Sequence, residues 1–475
     1  MKQFFIIALM ISFQCVSAQI FDKETIKNAS NDHDKRINLV ILSEGYTTSE
    51  LAKFKTDAIT FTNAMFNESP FKEYANYFNV HIVKVPSIES GADHPGTSTE
   101  PPETLLTPLS PLKTVDTYFN ATYDSYGLHR LLYYEIDGNA ANNTQAKIYA
   151  VLAANFPTYD QALILVNSAE YGGSGGEFPM AYSGYWGAKV IIHELGHSLF
   201  NLKDEYYPGD ALAAEAINMT KETNPNLIRW KNWLTTNGVG IYQYTCATGN
   251  CTDWYKPHEN CIMEKIDKPF CSVCKEGIIE KIHSIISPIE AYTPVSNTVT
   301  SPSFPLDFQL NLIKPIPNTL KSKWTLNTLD FATDVDAVSV LETDLSVGIN
   351  TLTVAVNDET TLLKVNNHDT FHLYTVTWTI DKTLGIEAIT SKTTQYNITM
   401  FPNPSNEIIN FKFESDADTN LKVDIVGLDG KFLKSVLIPN YQTHHLDIGN
   451  LSSGIYLVNF YSKNVLIATK KLVVN

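Results

Sequence analysis

The apolar positions of INLVILSEGY (37–46) run almost without interruption, which predicts a strand buried on both faces and leading into a loop. YFNVHIVKVP (77–86) predicts a second strand, ended by Pro86, and YDQALILVNS (159–168) a third, apolar enough to be central. Between the first two, Leu51 to Phe66 carries helical periodicity. Strands separated by helical segments predict an α/β (α+β) domain, here placed over residues 19–286.

The pattern then changes. Residues 287–304 and their border carry Pro288, Pro294, Pro302 and Pro305 among many Ser and Thr, the composition of a linker. LSVGINTLTVAVND (345–358) and FHLYTVTWTI (371–380) alternate apolar and polar residues, predicting an all-β, Ig-like sandwich module over 305–382. A second Thr/Ser-rich joint at 383–395 precedes a last all-β sandwich module, 396–475.

At 475 residues the chain has room for about three domains, each with its own core. Its 51 acidic against 35 basic side chains, a net charge of −16, supply no cationic surface for nucleic acid or an anionic membrane. The only long apolar run is MKQFFIIALMISFQCVSAQ at the start, too short for a comfortable transmembrane helix. With Lys2 before it and Val16-Ser17-Ala18 after it, it reads as a signal peptide, residues 1–18. Export is therefore expected, to the medium or the cell surface.

The chemistry lies in GYWGAKVIIHELGHSLFNLKDEYYPGD. His193 and His197 are four residues apart, so on a helix they share a face with Glu194 beside them. Two neutral nitrogen ligands and a carboxylate free to take a proton from water are what a catalytic Zn2+ requires. The pattern is expected by chance on the order of 0.02 times in such a chain, so coincidence is a weak explanation. A third protein ligand is needed. Where metzincin-like enzymes place a third His stands Lys203, a permanent cation, and the next residues, Asp204 and Glu205, can each offer an oxygen. Phe200 occupies those enzymes' glycine place, but Asn201 follows, and Asn tolerates a left-handed turn.

HELGHSLFNLKDEYY resembles the zinc-site stretch of the IgA-peptidase-type metallopeptidases (peptidase family M-64). INLVILSEGYT (37–47) and NCIMEKIDKPFCSVCKE (260–276) resemble two further stretches of that family, in the same order. The resemblance covers roughly residues 30–285. It implies a metzincin-like zinc peptidase with one catalytic zinc held by His193, His197 and Asp204, with Glu194 as general base and Met263 in the Met-turn beneath the metal. It also implies a protein or peptide substrate. The Tyr that many metzincins carry two residues after the Met is Lys265 here, so Tyr206, Tyr255 and His258 are the candidates to stabilise an oxyanion.

Removal of the signal takes away Cys15 and leaves Cys246, Cys251, Cys261, Cys271 and Cys274, all within 246–274. The Cys-x-x-Cys at 271–274 also fits a second zinc site or a redox pair, but an oxidising compartment favours disulfides. Cys246–Cys251 would close a small loop, and Cys261 with Cys271 or Cys274 would brace the Met-turn, leaving one thiol free.

The last module contains Phe401-Pro402-Asn403-Pro404, Gly454-Ile455-Tyr456 and Lys470-Lys471-Leu472-Val473-Val474. On these it resembles the C-terminal sorting domain of the type IX secretion system, which implies that machinery as a partner. Two other readings share the sequence: a surface adhesin with a vestigial zinc site, and a zinc-dependent hydrolase of a non-peptide amide.

Overall fold

The computed structural model describes residues 19–98, 112–134, 144–300, 302–382, 397–414, 421–438, 443–462 and 465–475. The expected signal peptide and the expected joint at 383–395 lie outside them. The chain divides into two compact units, one of residues up to 345 with 350–380, the other of 346–349 with 381–475.

The first unit is built on a six-stranded sheet: β1 (Asp22–Lys27), β2 (Ile37–Glu44), β3 (Phe78–Lys84), β4 (Gln161–Val166), β5 (Gly173–Ser174) and β6 (Met180–Tyr182), in the order β1-β3-β2-β4-β6-β5. The pairs β2–β3, β2–β4 and β4–β6 are parallel, and β1 and β5 add antiparallel edges. Every residue of β2 and β4 is buried, as a parallel strand covered on both faces must be. Helix α1 (Leu51–Met65) buries Phe54, Ala58, Phe61, Thr62 and Met65, one helical stripe. Helices α2 (Thr144–Asn155), α3 (Gly187–Ser198) and α4 (Ser272–Ile285) complete this region. The end of β2 also anchors the segment at 117–121. Its buried Glu44 accepts hydrogen bonds from Thr117 Oγ1 (2.6 Å) and from the backbone N–H groups of Phe119 (2.8 Å) and Ala121 (2.9 Å).

Beyond α4 the chain is almost wholly strand. After the short pair β7 (Tyr242–Gln243) and β8 (Tyr255–Lys256) come β9 (Ile289–Thr293), β10 (Thr298–Thr300), β11 (Leu306–Leu312), β12 (Leu320–Leu326), β13 (Leu329–Thr333), β14 (Ala337–Val340), β15 (Gly348–Asp358) and β16 (Tyr374–Lys382). They form sheets β10-β16-β15-β12-β13 and β14-β11-β9, whose inner faces share one core around Trp324 stacked on Trp378 at 5.9 Å. Residues 287–304, expected as a linker, thus hold two strands. β9 and β10 are edge strands, and Pro288 and Pro294 fall just outside them, where no ladder donor is required.

This β region is joined to the α/β region by a buried polar knot. Asp358, at the end of β15, accepts from Tyr74 Oη (2.6 Å) and Thr319 Oγ1 (2.6 Å) and meets His283 Nε2 of α4 at 3.0 Å. Burial would raise its pKa, but the bonds from His283, Thr319 and Tyr74 outweigh that and hold the carboxyl below its usual range. Removing one partner of such a group strands the others, so Asp358→Ala should lower stability by roughly 3–5 kcal/mol, read from denaturant unfolding of the full chain. A loss under about 1 kcal/mol would show that the knot does not hold the two regions. Because the folded pKa is depressed, this stability is present at neutral pH and drains away as pH falls below ~4.

The second unit contains β17 (Asn397–Phe401), β18 (Ile408–Glu414), β19 (Leu421–Gly427), β20 (Phe432–Ile438), β21 (Thr443–Asp447), β22 (Gly454–Ser462) and β23 (Val465–Val474). They pair as sheets β17-β18-β21 and β20-β19-β22-β23 over a core that includes Ile409, Phe411, Val423, Ile425 and Phe460.

Candidate metal centre and active-site cleft

Helix α3 runs through the His-Glu-Leu-Gly-His stretch, so spacing alone puts both imidazoles on one face. The helix ends at Ser198, and Asn201 takes φ +58°, the left-handed turn that Asn accommodates. The turn returns Leu202 N–H to Gly196 O (2.8 Å) and delivers Leu202 O to His197 Nδ1 (2.8 Å). His193 Nδ1 lies 2.9 Å from Ile262 O. A carbonyl can only accept, so both rings carry their proton on Nδ1 and aim an Nε2 lone pair into the cleft.

Three acceptors then converge. His193 Nε2 and His197 Nε2 are 3.2 Å apart, and Asp204 Oδ1 lies 3.1 Å from the first and 3.2 Å from the second. Such a triangle requires a cation. Without a metal the relief is a proton: burial disfavours the His193 imidazolium, but Asp204 and the charge of Glu194 outweigh it and push its pKa up to about 9. Asp204 is correspondingly held far below the usual carboxylate range, burial being outweighed by the two imidazoles. Donors of a tetrahedral zinc at ~2.0 Å are spaced about 3.3 Å apart, so these three residues fit that ion.

Glu194 stands beside the triangle, and burial raises its pKa. Its Oε2 faces Gly175, where an added Cβ would come within 2.9 Å of it. A second close approach lies at Gly196, where an added Cβ would come within 2.9 Å of Met263 Sδ. Met263 is fully buried against the inner face of α3, in a turn closed by Glu264 N–H and Lys265 N–H to Cys261 O. Glu205 N–H donates to Met263 O at 2.7 Å and ties this turn to the segment that carries Asp204.

The triangle opens into a cleft of about 1420 Å³ lined by Arg130, Gly175, Glu194, Tyr206 and Lys281 among others. Tyr206 is 50% exposed at its wall, its pKa raised by partial burial and then by the charges of Asp204 and Glu194. Tyr255 and His258 do not line it: Tyr255 pairs with Gln243 in the small sheet, and His258 bonds to Asn237 O. Glu205, the other expected third ligand, points away from the cleft and is fully buried among cysteines. Cys246 and Cys251 are disulfide-bonded. The expected second bridge is not formed. Cys261, Cys271 and Cys274 are free, and Cys261 Sγ lies 3.7 Å from Cys274 Sγ, far beyond the ~2.05 Å of an S–S bond.

Ile262 O and Leu202 O, which receive the imidazole Nδ1 protons, and Gly175 and Arg130 on the cleft wall are positions that sequence reading missed. Backbone carbonyls leave no residue signature, and Arg130 sits in no motif. Among the described residues three groups of potential ligands converge: His193, His197 and Asp204; Glu205, Cys261, Cys271 and Cys274; and His94, Asp124 and His129.

Residues 26–241 match the family model of the IgA Peptidase M64, and residues 399–475 that of the secretion system C-terminal sorting domain. No curated protein matches the chain. Among solved structures, a dimeric latent PorU from Porphyromonas gingivalis is 14% identical over 38% of this chain and 17% of its own, at a TM-score of 0.16. A β-glucuronidase from Parabacteroides merdae is 9% identical over 47% of this chain and 28% of its own, at 0.15. A two-domain fibronectin type-III segment of chicken tenascin is 13% identical over 37% of this chain and 95% of its own, also at 0.15. Scores this low carry no argument about fold or function. The helix-borne His-Glu-Leu-Gly-His cleft thus lies within a region that is similar to the IgA peptidase family over residues 26–241, in a chain whose residues 399–475 match a secretion system C-terminal sorting domain.

Proposed function

We propose that this chain is an exported zinc endopeptidase of metzincin-like design. The observation that carries the reading is the triangle of two imidazole nitrogens and one carboxylate oxygen, 3.1–3.2 Å on each side, facing an open cleft with Glu194 beside it. His193, His197 and Asp204 hold the metal. A zinc ion there supplies Lewis acidity, acidifying water and polarising a carbonyl. Glu194 takes the proton from the attacking water and returns it to the leaving amine. Its raised pKa suits both halves of that transfer. Tyr206, the one oxyanion candidate on the cleft wall, donates its hydroxyl to the developing negative charge. Met263 packs beneath α3 and keeps the helix in place.

The cleft exceeds the ~300–1,000 Å³ of small-molecule pockets and is open, which suits a stretch of polypeptide. Residues 1–18 act as a signal peptide, residues 305–382 form an Ig-like module, and residues 396–475 present the chain to the type IX machinery at the outer membrane.

The test is a peptide-library digest with the purified full chain. Cleavage should be abolished by a chelator and restored by zinc. Chelator-insensitive cleavage, or no cleavage of any library by the zinc-loaded chain, would overturn the reading.

A further inference from the structure

Behind the cleft, one carboxylate and three thiols meet without access to solvent. Glu205, Cys261 and Cys274 are fully buried and Cys271 is 6% exposed. Cys274 Sγ lies 3.1 Å from Glu205 Oε1, Cys271 Sγ 3.7 Å from the same oxygen, and Cys261 Sγ 3.7 Å from Cys274 Sγ. Asn218 Nδ2 donates to Oε1 at 3.3 Å, whereas the buried Oε2 has no hydrogen-bond partner. The nearby ammonium of Lys256 is engaged elsewhere, with Glu205 O at 2.7 Å and Glu264 at 2.6 Å. A buried acid facing three sulfurs, with no cation on its carboxylate, leaves the cluster one component short.

We propose that Glu205, Cys261, Cys271 and Cys274 bind a second metal ion, a structural zinc. Thiolate sulfurs at ~2.3 Å from a tetrahedral zinc are spaced about 3.8 Å apart, and sulfur–oxygen edges are about 3.5 Å, close to the separations found. Four protein ligands with no open position mark a structural site, in contrast to the three-ligand triangle in the cleft. Soft thiolates select zinc over calcium or magnesium, and an ion without redox chemistry suits an exported protein. The backbone N–H of Cys271 donates to Cys261 Sγ at 3.3 Å, the outer hydrogen bond that metal-bound sulfurs commonly receive. Disulfide chemistry would leave an odd thiol and the carboxylate uncompensated. A catalytic thiol would need a route to substrate, and burial denies it one.

The ion would join three segments that shape the cleft. Glu205 adjoins Asp204. Cys261 adjoins Ile262, whose carbonyl orients His193. Cys271 and Cys274 begin α4. Its role is to position, and its ligands are separate from the peptidase triangle, so each site can fail alone.

Zinc should be counted in the purified full chain by elemental analysis, with about two ions expected per chain. His197→Ala should keep about one, and after cobalt substitution this variant should still show thiolate-to-cobalt charge-transfer absorption. Cys274→Ser should lose that absorption. Should Cys274→Ser not fold, thiol labelling of the wild type decides: Cys261, Cys271 and Cys274 should react only after chelation. A second disulfide in the wild-type mass, or a folded His197→Ala chain without the thiolate band, would overturn the second site. A wild-type chain that shows the thiolate band but holds only that one ion would instead count against the peptidase reading alone.

Discussion

Glu194→Gln is expected to retain metal at the wild-type level and to hydrolyse peptides ~10²–10⁴-fold more slowly. The amide matches the carboxylate in shape, and Glu194 contributes no atom to the triangle of His193, His197 and Asp204. What the substitution removes is a proton acceptor beside the metal position, in surroundings that already disfavour a bare charge. Turnover by purified protein against a library-derived peptide, with zinc measured on the same sample, checks the separation. An active variant would mean that some other group moves the proton. Lost metal would mean that Glu194 has a structural part in the site.

His197→Ala should remove both metal from the cleft and all measurable hydrolysis, while leaving the chain folded. The imidazole is one side of the triangle, and a pair of donors cannot complete the three-ligand arrangement that a catalytic zinc requires. The side chain is 22% exposed on the cleft side of α3, so its truncation opens no core cavity. Circular dichroism should therefore match the wild type. Full activity in this variant would dismiss the assigned site. Unfolding would show that Leu202 O and the turn at Asn201 depend on the His197 ring.

Much of this architecture is written in local pattern. The apolar runs of β2, β3 and β4 can only be strands sealed on both faces, and α1 shows its buried stripe at helical spacing. The four-residue interval of His193 and His197 places them on one face whatever surrounds the helix. Asn201 is legible too, because few residues besides glycine turn left-handed cheaply. The stretch at 287–304 was less so. Proline-rich composition describes a linker and an edge strand equally well, and only pairing partners distinguish them.

The division is sharpest at two neighbouring carboxylates. Chain composition and spacing predict a helix with two imidazoles and a carboxylate on one face, and offer residue 204 or 205 as the oxygen donor that would complete a metal site. They cannot choose between these two, because both residue types offer the same donor atom and the choice rests on which side chain the fold turns toward the cleft. The tertiary structure sends Asp204 to the imidazoles and Glu205 to the cysteines. It likewise decides that Cys261, Cys271 and Cys274 gather unbonded around that buried acid, since convergence of residues far apart in sequence depends on how the turn at Met263, the segment after α3 and the start of α4 pack together.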